Sequence, residues 1–157
     1  MPEKESTLTE NQSEVRPPAP GRVLALDLGT RRVGVAVSDE LRVTARTLPA
    51  LRRTSWKQLL RAVAELRERF DAQRLVIGLP LRLDGTEGDA ASEARRLARN
   101  FELSLGVPVS LQDERLTSRD AEESLRAAGL AAREIKERVD SEAALYILRD
   151  YITKEGD

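Results

Sequence analysis

The 157-residue sequence contains no cysteine and no histidine. Without cysteine there is neither a disulfide framework nor thiolate chemistry. Without histidine the usual general base and the usual zinc ligand are gone, and so is every Ser-His-Asp arrangement. No hydrophobic run is long enough to cross a bilayer. The polar, acidic N-terminus has no apolar core of a signal peptide. A cytoplasmic protein with no membrane partner is therefore expected. Chemistry is left to carboxylates, hydroxyls, Lys and Arg. Oxygen-only ligands favour Mg²⁺ or Mn²⁺ over zinc.

What is present suits one globular domain with a real core: 40% of residues are hydrophobic and 34% charged. The net charge of −1 conceals an uneven distribution. Gly21 to Arg61 carries nine Lys/Arg against three Asp/Glu, whereas Ala62 to Asp157 carries fifteen against twenty. Arg31, Arg32, Arg42, Arg46, Arg52, Arg53, Lys57 and Arg61 offer a phosphate-facing surface. The alternative is a solvated Arg-rich surface.

Residues 1–20 are rich in Glu, Ser, Thr, Asn, Gln and Pro and read as a disordered tail, leaving 21–154 as the folded domain. Three strands open the domain: Arg22 to Asp27, Val33 to Ser38 and Val43 to Leu48, joined by tight turns and hence antiparallel. The small residues Gly34, Ala36 and Ser38 share one face of the second strand and allow close helix packing. Trp56, Leu59, Leu60, Val63, Leu66 and Phe70 form a helical stripe, with Thr54 or Ser55 as N-cap. Leu75 to Leu79 is a strand buried on both faces. A loop over 80–88 leads to a helix carrying Ala94, Leu97, Ala98, Phe101 and Leu105, which Gly106 stops. Val107 to Gln112 is a fifth strand. Thr117-x-x-Asp120 starts a helix running to about Ala128 and ended by Gly129. Ala131 to Arg138 is a short helix or loop, and Asp140 opens the last helix. Strands joined by helices run parallel through right-handed crossovers. The expected fold is α/β, a mixed five-stranded sheet with helices on both faces.

Three remote acids stand out: Asp27 at the end of strand one, Glu114 after strand five, and Asp140 in the first turn of the last helix. Converging on one sheet edge they would repel each other, so a cluster implies bound divalent metal, and carboxylate-held metal cuts phosphodiesters. Each acid also has a simpler explanation. Asp27 caps a turn, Glu114 pairs with Arg115 or Arg119, and Asp140 is an N-cap. Against the first stands the whole stretch Asp27-x-Gly29-x-x-Arg32-x-Gly34, whose glycines permit close approach of a phosphate. Thr30, Arg31 and Arg32 flank Asp27, while Arg115, Thr117 and Ser118 add phosphate donors, or helix caps, beside Glu114. Gly78-Leu79-Pro80 and Asp84-Gly85-Thr86-Glu87-Gly88 lead into a helix N-terminus, a ready phosphate site, but not a P-loop because Gly-Lys-Ser/Thr is missing.

Four segments, taken in order, resemble one family. They are Asp27-Leu-Gly-Thr-Arg-Arg-Val-Gly-Val-Ala-Val-Ser-Asp39, Ile77-Gly-Leu-Pro-Leu81 with Asp84-Gly-Thr-Glu-Gly88, Asp113-Glu-Arg-Leu-Thr-Ser118, and Asp140-Ser-Glu-Ala-Ala144. The chain is similar to the YqgF (RuvX) family, which is linked to bacterial pre-16S ribosomal RNA maturation and was once grouped with Holliday junction resolvases. The family pattern often has Pro where Asp89 stands, and a lysine-rich segment where Glu134-Ile-Lys-Glu-Arg138 is mixed. The resemblance implies a ribonuclease H-like fold and an acidic triad of Asp27, Glu114 and Asp140. Asp27 would bridge two Mg²⁺ ions roughly 4 Å apart, with Glu114 and Asp140 each completing one. Hydrolysis would leave a 5′-phosphate. The implied partner is nucleic acid, either pre-rRNA or structured DNA, with ribosomal particles in attendance and the chain a monomer or weak homodimer. Three other readings remain: a Holliday junction resolvase, a non-catalytic ribosome-associated RNA-binding module, and an actin-like ATPase or sugar kinase. The last also begins Asp-x-Gly-Thr but needs two lobes where this chain has room for one.

Overall fold

A computed structural model describes residues 20–114, residue 129 and residues 132–156, with side chains omitted for 132–140 and 156. The expected tail over 1–19, the helix over 117–128, and Arg115, Thr117 and Ser118 lie outside the described residues. The elements are β1 (Arg22–Leu28), β2 (Arg32–Ser38), β3 (Ala45–Arg52), α1 (Trp56–Phe70), β4 (Ala72–Leu79), α2 (Asp89–Leu105), β5 (Val109–Asp113) and α3 (Ala132–Gly156).

One sheet of order β3-β2-β1-β4-β5 organises the chain. The first three strands form the antiparallel meander; β4 runs parallel to β1, and β5 parallel to β4. This is the mixed sheet expected from tight turns followed by helical crossovers. Alternation along the strands divides the core in two. Leu24, Leu26, Val35, Leu75 and Ile77 face Leu59 and Val63 of α1 and Leu97 and Phe101 of α2. Val23, Ala25, Ala36 and Val76 face Ala144, Ile147 and Leu148 of α3. Helices therefore cover both faces, and the small side chain of Ala36 receives α3 as its position on β2 suggests.

Local chemistry explains the helix ends. Ser55 caps α1 by accepting a hydrogen bond from the Gln58 amide at 3.2 Å. Asp71 ends it in the left-handed region (φ 51°), with its amide donating to the Glu68 carbonyl. Gly106 ends α2 in the same region (φ 69°), where a residue without Cβ is unstrained.

Strand starts differ from expectation by two or three residues, at Ala45 rather than Val43, Ala72 rather than Leu75 and Val109 rather than Val107, and two further boundaries differ more. β3 continues through Pro49 to Arg52, because it is an edge strand and the β2–β3 register shifts between Val33 and Val35. An irregularity on an edge strand is where proline is tolerated. α3 begins at Ala132, about two turns before Asp140. Asp140 is thus an interior helical residue, neither N-cap nor first-turn residue, and the segment over 131–138 is largely the first part of this helix. Its mixed charges hid the periodicity.

Two buried hydroxyls act as ties, one within the sheet and one between sheet and helix. The Ser38 hydroxyl accepts from the Val23 amide at 2.8 Å. Ser141 of α3 donates to the Leu48 carbonyl of β3 at 2.8 Å. Ser141→Ala deletes this link and leaves a carbonyl without that partner. It is expected to lower stability by about 1 kcal/mol in urea titrations with an unchanged m-value. At the start of β1 a guanidinium clasps both ends of the fold. Arg42 donates to the Gly21 carbonyl (2.8 Å), the Pro20 carbonyl (3.1 Å) and the Glu155 carboxylate (2.6 Å). No helix of the described residues is long and apolar enough to cross a membrane.

Candidate active site

Parallel β1, β4 and β5 end at the same edge of the sheet, and two of the three singled-out acids meet there. Asp27 is on β1, only 8% exposed. Glu114 follows β5 directly, and its amide donates to the Leu79 carbonyl of β4 at 3.2 Å. Their side chains share a hydrogen bond. β4 lies between the strands that carry them, so the pair can meet only across β4. Gly78 makes this possible. A Cβ at Gly78 would stand 2.4 Å from Glu114 Oε2 and 2.6 Å from Ile147 Cδ1. The Glu114 carboxyl therefore lies over the bare backbone of Gly78, roofed by α3.

The electrostatics follow from this packing. Burial pushes the Glu114 carboxyl up to about 9, reinforced by the charge of Asp27, their hydrogen bond and the charge of Asp113. Burial also raises Asp27, opposed by the hydrogen bond from Glu114. Without a cation the pair holds a shared proton, because two carboxylates this close do not both ionise. Glu114 Oε2 is buried and has no hydrogen-bond partner among the described residues. A buried acceptor with nothing to accept from is destabilising, and a hard divalent cation satisfies it. The donor set is all oxygen, so the residues fit Mg²⁺ or Mn²⁺. Among the described residues no group of three acids is close enough to hold an ion. Asp140 lies on α3 one turn before Ala144, and its side chain lies outside the described residues.

Polar links tie β5 to its neighbours. Gln112 of β5 donates to Asp150 of α3 at 2.6 Å, and Arg74 of β4 donates to Ser110 of β5 at 2.9 Å. Neither Gln112 nor Ile147 stood out as a site residue in the sequence. Both read there as ordinary strand and helix positions.

The other singled-out residues fall into two groups. Gly29 forms the β1–β2 turn, where its amide donates to the Asp27 (3.1 Å) and Arg32 (2.9 Å) carbonyls. A Cβ there would be 2.6 Å from the Arg32 carbonyl oxygen. Thr30 and Arg31 are exposed on the turn, and Arg32 is half-buried at the start of β2. With Arg52 and Arg53 they line a groove of about 440 Å³. Pro80 follows β4, beyond which Gly85 and Thr86 belong to a loop bonded to itself. Leu81 bridges to Glu87, the Arg82 amide donates to the Thr86 carbonyl (2.9 Å), and Asp84 accepts from the Thr86 amide (2.9 Å) and hydroxyl (2.6 Å). The donors of Thr86 are thereby engaged within the loop.

Known proteins align with this arrangement. The RuvX family model, described as Holliday junction resolvase, matches residues 21–154. A protein of Anaeromyxobacter sp. (strain K), named "Putative pre-16S rRNA nuclease", is 47% identical over 135 residues, covering 86% of this chain and 98% of its own. A protein of the same name from Syntrophus aciditrophicus is 44% identical over 131 residues, covering 83% of this chain and 87% of its own. Among solved structures, Thermus thermophilus RuvC in complex with a Holliday junction substrate aligns with a TM-score of 0.55 at 16% identity, over 87% of this chain and 96% of that one. The fowlpox virus Holliday junction resolvase aligns with a TM-score of 0.51 at 14% identity, over 85% of this chain and 99% of that one. At such identities the likeness is one of fold, the ribonuclease H-like sheet.

Proposed function

The chain belongs to the RuvX family, and on that premise we propose that it is a divalent-metal-dependent endonuclease of the cytoplasm that hydrolyses phosphodiester bonds at the 5′ end of pre-16S ribosomal RNA. The observation that carries the reading is the buried Asp27–Glu114 pair, with an unsatisfied oxygen laid over Gly78. Residues 21–154 form the catalytic domain. Asp27 and Glu114 hold the ion from the ends of two strands, and Asp140 supplies the third carboxylate from α3. A bound Mg²⁺ or Mn²⁺ supplies Lewis-acid polarisation of the phosphate and a water of lowered pKa.

The chain does the rest by binding and positioning. Thr30 and Arg31, exposed on the turn after Asp27, orient the scissile phosphate. Arg32 holds the strand beside it, and Arg115, Thr117 and Ser118 contribute donors next to Glu114. Gly78 admits the Glu114 carboxyl, and Ile147 keeps water from its far side. Gly29 holds the turn that presents Thr30 and Arg31. Pro80, Gly85 and Thr86 shape the rim of the cleft. The substrate is nucleic acid, met on ribosomal particles, and the working unit is a monomer or weak homodimer.

The test is cleavage by one preparation offered two substrates in Mg²⁺, an RNA spanning the 5′ end of the 16S precursor and a four-way DNA junction. The RNA is expected to be cut, and EDTA to stop the reaction. Preference for the junction would transfer the substrate assignment to DNA. Intact RNA binding with no cleavage of either would make the chain a non-catalytic ribosome-associated module.

A further inference from the structure

We infer that Arg32 and Arg52 together form a clamp for a phosphodiester of the bound strand neighbouring the one that is cut. The inference deepens the nuclease reading and rests on it. β2 and β3 pair with Arg32 directly opposite Arg52. Like charges so placed repel and weaken the pairing unless an anion relieves them. Among the described residues neither arginine makes an ion pair or a side-chain hydrogen bond. Among the described residues, none that lines the groove is acidic.

Several other basic side chains nearby are engaged, whereas Arg31, exposed on the turn, lines the same groove. Arg53 donates to the Gly29 carbonyl at 2.9 Å and to Glu93 at 2.5 Å, which braces the β1–β2 turn against α2. Arg42 holds the ends of the fold together, and Arg46 lies over the Phe70 ring at 5.4 Å. The basic half of the sequence thus includes anchoring arginines and, at this groove, a cross-strand pair left for a ligand. Two planar forks facing one groove suit phosphate oxygens, which guanidinium groups bind in bidentate fashion.

Register places the pair. Asp27 is opposite Gly34 on β2, and Arg32 is two residues further along the same face of that strand. Two residues of strand span about 7 Å. A phosphate at Arg32 and Arg52 is therefore adjacent to, and separate from, one held at Asp27 and Glu114. Arg52 is the new element, contributed by the edge strand rather than by the motif around Asp27.

The experiment measures binding of a fluorescently labelled single-stranded RNA oligonucleotide in EDTA across a salt series, for wild type, Arg32→Gln/Arg52→Gln and Arg99→Gln. Arg99 is exposed on α2, which covers the opposite face of the sheet. The double variant is expected to lose roughly 1.5 from the log–log salt slope and to bind about tenfold more weakly at moderate salt. Arg99→Gln should keep both values. A folded double variant, checked by circular dichroism, with the wild-type slope overturns the clamp. So does an equal loss in Arg99→Gln. Cleavage by wild type in Mg²⁺ is scored separately. A lost slope in a protein that never cleaves leaves the clamp standing and removes the nuclease reading, whereas an unchanged slope in an active nuclease does the reverse.

Discussion

Glu114→Gln is expected to make the metal-free protein more stable and to lower its cleavage rate by at least about 10³-fold. Both effects come from one carboxyl. The folded state holds Glu114 as an acid up to about 9, against the 4.5 of an ordinary glutamate. Between those two pH values the native protein binds a proton that the unfolded chain has released. Stability therefore falls as pH rises through this window. The loss reaches on the order of 5 kcal/mol by pH 8. Gln keeps the shape, donates to Asp27 as the protonated acid does, and has nothing to ionise. In EDTA the advantage of the variant should be slight near pH 5 and grow toward pH 9, read as melting temperature. Added Mg²⁺ should stabilise wild type above the variant, because binding displaces the shared proton and satisfies Oε2. A Glu114→Gln protein that melts with wild type at every pH would show that this carboxyl is not strained in the fold. One that still cleaves at the wild-type rate would remove Glu114 from the site.

The second large effect is expected at Gly78. In Gly78→Ala the new Cβ meets Glu114 Oε2, Glu114 Cδ and Ile147 Cδ1 at 2.4, 2.7 and 2.6 Å. Real Cβ contacts are never so close, so the side chains must shift. β4 is flanked by β1 and β5 and cannot move away. The Glu114 carboxyl, at the end of a flexible chain, is what yields. Stability should fall by about 1–3 kcal/mol, as in other overpacked cores. Cleavage should fall further, by about 10²-fold or more, because a ligand moved by 1 Å no longer closes the site. The distinguishing readout is the Mg²⁺ dependence. The concentration for half-maximal rate should rise in Gly78→Ala, whereas Ser141→Ala, which loosens α3 elsewhere, should leave it unchanged. Equal shifts in both would assign the effect to general loosening.

Much of this was legible in the residues themselves. The meander followed from short turns at Gly29 to Arg31 and at Asp39–Glu40, and the crossovers followed from helical stripes ended by Asp71 and Gly106. Asp27 and Glu114 were marked by their places at strand ends. The start of α3 was not legible, because Glu134-Ile-Lys-Glu-Arg138 mixes charge with few apolar residues and gives no clear stripe. Nor was the role of Gly78. Glycine in a buried strand signals a close approach, but sequence does not say of what. Here it is another side chain of the site rather than a ligand. The Arg32–Arg52 opposition was hidden because Pro49 suggested an early end to β3.

Arg42 has one further implication. By gripping the carbonyls of Pro20 and Gly21 together with Glu155, it gathers both extremities of the domain at the pole where β1 begins. Asp27 lies five residues along that strand, about 17 Å away. Anything appended before residue 20 or after residue 155 starts out from the far pole. An affinity handle fused there leaves the carboxylate rim clear, so an immobilised chain can still meet a target as bulky as a folded nucleic acid.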